Sequence, residues 1–64
     1  MEQQLAYSIA EFCRLHQISR ASLYNYWREG VGPTVMKVGS RRLISLEAAQ
    51  RWRREREAAA AEVA

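Results

Sequence analysis

The sequence predicts a mainly α-helical fold with one small β-hairpin, in the order helix–turn–helix–hairpin–helix. Three observations carry that expectation. Serines stand at Ser8, Ser19 and Ser45, each just ahead of apolar residues at helical spacing. Gly32-Pro33 breaks the pattern in mid-chain. Beyond it, Thr34–Val38, rich in β-branched residues, and a second short run, Arg41–Ile44, flank Gly39-Ser40.

The first helix opens with a capping box. In Ser8-Ile9-Ala10-Glu11 the serine hydroxyl is placed for the Glu11 amide, and the Glu11 carboxylate for the Ser8 amide. Tyr7 before the cap and Phe12 four residues after it have the spacing of a hydrophobic staple. Ile9, Phe12 and Cys13 share one face, and the helix is expected to end near His16 or Gln17.

Gln17-Ile18 leads to a second cap at Ser19. The next helix is expected from Arg20 to about Glu29, with Gly30 closing it in a left-handed conformation. Leu23, Tyr26 and Trp27 form its inward face; Ala21, Tyr24, Asn25 and Arg28 fall in the opposite sector. Two short helices with so brief a link make a helix-turn-helix unit.

Thr34–Val38 and Arg41–Ile44 are the expected strands. A two-residue loop sets Met36 opposite Leu43 and Lys37 opposite Arg42; a three-residue loop shifts the pairing, and the sequence leaves both open. Ser45 then caps a third helix, with Glu47 in its first turn. Leu46, Ala49 and Trp52, with Ala48 beside them, form its inward stripe, while Arg51, Arg53, Arg54 and Arg56 are expected to face out. The 64 residues make one domain, with an ordered core at about 6–57 and a helical or frayed tail at 58–64.

Charge narrows the function. Between Arg20 and Arg54 stand eight bases against two acids, a net of +6, while the rest of the chain carries two bases against five acids. So polarised a charge suits a polyanion partner. Nine of the ten bases are Arg, which can grip a phosphate or a guanine edge with two hydrogen bonds. On the second helix, Arg20 and Asn25 are the types that pair with guanine and adenine edges, and Ser19, Ser22 and Tyr24 can donate to phosphates. Lys37, Arg41 and Arg42 crowd the hairpin turn around Ser40, where their mutual repulsion favours a bound anion.

Enzymatic function is not expected. The chain has no Asp, one His and no glycine-rich phosphate loop, so no catalytic residue is assigned. Cys13 and His16 could ligate a metal from one face, but a structural zinc needs four ligands and the sequence has no other Cys or His. No metal or cofactor is expected. One cysteine, no signal-peptide pattern and no long apolar run point to a cytoplasmic protein with no membrane partner, which a DNA-binding role would make nucleoid-associated.

The segments Tyr7–Cys13, Ile18–Tyr24 and Gly39–Ile44, in this order, resemble the excisionase and AlpA-like family of small MerR-related winged helix-turn-helix proteins. The resemblance covers about residues 6–56, and Ser19-Arg20-Ala21-Ser22-Leu23-Tyr24 is its most telling piece. It implies sequence-specific binding of double-stranded DNA, foremost as a phage or mobile-element excisionase that bends recombination sites beside a tyrosine integrase. A small AlpA-like transcriptional regulator using the same surface is the alternative. It also implies recognition-helix contacts by Arg20, Ser22, Tyr24, Asn25 and Arg28, with Lys37, Arg41 and Arg42 on the backbone. The position of Asn25 is often basic in that family. No heptad pattern supplies a dimer, so weak cooperative self-association on DNA is expected. A protein-interaction module contacting partners through the Arg-rich third helix is the reading from another class.

Overall fold

Ser8 does two jobs where the chain first becomes regular. It ends a short strand, β1 (Ala6–Ser8), and it caps helix α1 (Ile9–His16). Both halves of the capping box are formed: the Glu11 amide donates to Ser8 Oγ at 3.1 Å, and the Ser8 amide donates to Glu11 Oε1 at 2.9 Å. The Ser8 amide, with the Gln4 side-chain amide, holds the Glu11 carboxyl below its ordinary pKa. The computed structural model describes residues 4–63. Helix α2 (Arg20–Arg28), strands β2 (Met36–Val38) and β3 (Arg41–Ser45), and helix α3 (Leu46–Val63) follow.

The sheet corrects the expectation of a lone hairpin. It has three antiparallel strands in the order β1-β3-β2, so the architecture is mixed α/β. Ala6, Tyr7 and Ser8 pair with Ser45, Ile44 and Leu43, placing Tyr7 directly across from Ile44. The hairpin takes the two-residue alternative, with Met36 opposite Leu43 and Lys37 opposite Arg42. Gly39 has φ +62° while Ser40 is not left-handed, the backbone pattern of a type II′ turn. Strand β2 is shorter than expected, beginning at Met36.

Side chains alternate across a strand, so this register divides the sheet. Tyr7 and Ile44 point toward the helices; Met36, Val38 and Leu43 lie on the other face, where Met36 and Val38 are exposed. The core joins Phe12, Cys13, Leu23, Ile44, Ala48, Ala49 and Trp52, with Tyr7, Ile9, Ile18, Tyr26, Trp27 and Val35 packed around it. Burial pushes the Cys13 thiol above its ordinary pKa, against a smaller opposing pull from Arg20.

Helix α3 corrects a second expectation. Arg51 and Arg54 are exposed, but Arg53 and Arg56 are half-buried. With Ala49 and Trp52 they complete an i, i+3, i+4, i+7 stripe, so their stems lie along the core margin. Arg53 Nη1 lies 3.0 Å from His16 Nε2, and His16 Nδ1 lies 2.9 Å from the Phe12 carbonyl. A guanidinium only donates, so Nε2 accepts and the ring proton sits on Nδ1, donating to Phe12. His16 also stacks on Phe12, ring centroids 3.9 Å apart. Helix α3 stays helical through Ala58–Ala61, as alanine's propensity favours. Among the described residues no helix is long and apolar enough to cross a membrane.

Candidate nucleic-acid interface

Helix α2 is held by its two ends. Ser19 Oγ accepts from the Ser22 amide at 3.0 Å, and its own hydroxyl donates to Ser22 Oγ at 3.0 Å. The two hydroxyls thus meet at the cap, Ser19 exposed and Ser22 half-buried. At the other end Gly30, with φ +78°, places its amide on the Trp27 carbonyl and the Val31 amide on that of Tyr26. This is the paired hydrogen bonding of a Schellman motif.

Between these ends Arg20, Ala21, Tyr24, Asn25 and Arg28 are exposed. Tyr24 is 43% exposed and meets the Trp27 ring edge-on at 5.2 Å, so its ring has a fixed bearing on the helix surface. Of the residues expected on the recognition face, Arg20, Tyr24, Asn25 and Arg28 share an exposed surface with Ala21, while Ser22 is half-buried.

The hairpin separates its three bases. Lys37 and Arg42 are cross-strand partners on the face that carries Ile44, the side on which the helices pack. Arg41 faces the other way, across from Val38. All three are exposed, as is Ser40 in the turn. Like charges directly opposite on a sheet stand about 5 Å apart and cost stability. Lys37 and Arg42 thus form one cationic pair, with Arg41 apart from it.

The connection from α2 to β2 was not legible as part of this site. Trp27 Nε1 donates to the Pro33 carbonyl at 2.7 Å, and Trp52 Nε1 donates to the Val31 carbonyl at 2.8 Å. Two indoles from different helices therefore pin one loop. Gly32 lies against the Trp27 ring so closely that a Cβ there would meet Cδ1 and sit 2.8 Å from Nε1. The hairpin is tied to α2 through this loop. Composition signals a break at Gly32-Pro33, but the indole bonds bridge positions whose proximity only the fold creates.

Compared with models of protein families, with curated proteins and with solved structures, the chain matches none.

Proposed function

We propose that this chain binds double-stranded DNA as a winged helix-turn-helix, with α2 as recognition helix and the β2–β3 hairpin as wing. The observation that carries the reading is the Lys37–Arg42 pair. Two cations directly opposite on adjacent strands repel each other, and a phosphate between them would turn that repulsion into attraction. The exposed face of α2 supports it, since Arg20, Tyr24, Asn25 and Arg28 offer hydrogen bonds suited to base edges and phosphates. The indole-pinned loop would hold wing and helix in fixed relation, so that both engage one duplex. Within this class we favour an excisionase-like architectural role beside a tyrosine integrase, on the strength of the family resemblance.

The test separates base reading from backbone contact. A preferred duplex is first selected from a random pool. Asn25→Ala should then lose about 1–3 kcal/mol on that site and relax preference at one position. The double variant Lys37→Ala/Arg42→Ala should weaken binding to every duplex by a similar factor. Failure of the wild-type protein to bind any duplex at low salt would overturn the reading.

A further inference from the structure

The core-facing residues of α2, Leu23, Tyr26 and Trp27, define which side chain points most directly away from the protein. At about 100° per residue, that position is Ala21, with Asn25 and Arg28 to either side. Arg20 and Tyr24 lie further round one flank, and Ser22 round the other. The outermost point of the helix thus carries its smallest side chain, near the end that a recognition helix inserts most deeply.

A methyl group has no hydrogen bond to offer a base edge. Its one complementary feature in the major groove is the thymine C5 methyl, and its small size lets the helix backbone approach closely. Asn25, one turn on and also exposed, carries the amide that pairs with adenine N6 and N7. Four residues of helix rise about 6 Å, which along the groove spans about one or two base-pair steps.

We infer that Ala21 and Asn25 act as one reading head for a pair of A·T base pairs one or two steps apart, Ala21 packing on a thymine methyl and Asn25 bonding an adenine. The inference rests on the DNA-binding reading and deepens it, because it assigns the base class that the recognition helix selects. Arg20 and Tyr24, on the flank, then serve the adjacent backbone.

Modified duplexes test this with the wild-type protein. On a site selected from a random pool, each thymine is replaced in turn by uracil, which deletes the C5 methyl, and each adenine by 7-deazaadenine, which deletes N7. One uracil position should lower affinity about fourfold, the scale of one buried methyl. One 7-deazaadenine position one or two steps away should lower it about fivefold or more, the scale of one lost hydrogen bond. In Ala21→Gly, shown to be folded by circular dichroism, the uracil effect should vanish; in Asn25→Ala the 7-deazaadenine effect should vanish. Equal binding to all modified duplexes, or a selected site without such an A·T pair, would overturn the inference and leave DNA binding standing. No binding to any duplex would overturn both.

Discussion

Gln17 and Gly30 occupy equivalent places at the ends of α1 and α2, and only one is a residue suited to its backbone. Gln17 has φ +57°, with its amide 3.3 Å from the Arg14 carbonyl and the Ile18 amide 3.0 Å from that of Cys13, the same Schellman arrangement as at Gly30. A left-handed conformation costs a side-chain-bearing residue about 1–2 kcal/mol, partly offset by the greater freedom glycine has when unfolded. Gln17→Gly should therefore stabilise the fold by about 0.5–1 kcal/mol in urea denaturation, and a loss of stability would show that the glutamine side chain supports the turn. Cys13 makes a second prediction. Its thiol pKa is raised by burial, so the contribution to stability is full below the unfolded thiol's range and falls as pH rises through it. Stability of the wild type should decline above about pH 8.5 more steeply than that of Cys13→Ala. Parallel curves would remove the thiol as the cause.

The serine caps were legible as elements because each is a local pattern of four or so residues, and Ser8, Ser19 and Ser45 all cap their helices. Strand β1 was not. Ala6-Tyr7-Ser8 has no β-branched residue, and its partner lies on β3, far along the chain. The local spacing of Tyr7 shows only a staple for α1, whereas Tyr7 also stands across from Ile44 in the sheet. Arg53 escaped for a similar reason, since its partner His16 is 37 residues away. Of the candidate interface, the exposed sector of Ala21, Tyr24, Asn25 and Arg28 on α2 follows from periodicity alone. The division of Lys37 and Arg42 from Arg41 required the hairpin register, and the indole-pinned loop required the tertiary fold. That loop carries the prediction at this scale. Trp27→Phe keeps most of the ring packing but deletes the donor to Pro33, so it should cost about 1–3 kcal/mol in stability. If the loop orients the wing, the folded variant should also bind duplex more weakly, with its residual sequence preference intact. A folded variant with unchanged affinity would uncouple the loop from the interface.

Across the whole molecule, within a body of about 38 × 29 × 18 Å, the register sends Lys37 and Arg42 to the helix-bearing side of the sheet and Arg41 to the other. If Arg20, Arg28, Lys37 and Arg42 are the bases that engage phosphates, binding should release counterions from about four contacts. The most direct test of the central claim is the affinity for a selected duplex measured across a series of salt concentrations. The slope of log K against log salt should be about −4 for the wild type and for Arg41→Ala, and about −2 for Lys37→Ala/Arg42→Ala. A wild-type slope near zero would contradict DNA binding through this cationic surface, and a flatter slope for Arg41→Ala would contradict the division of the wing.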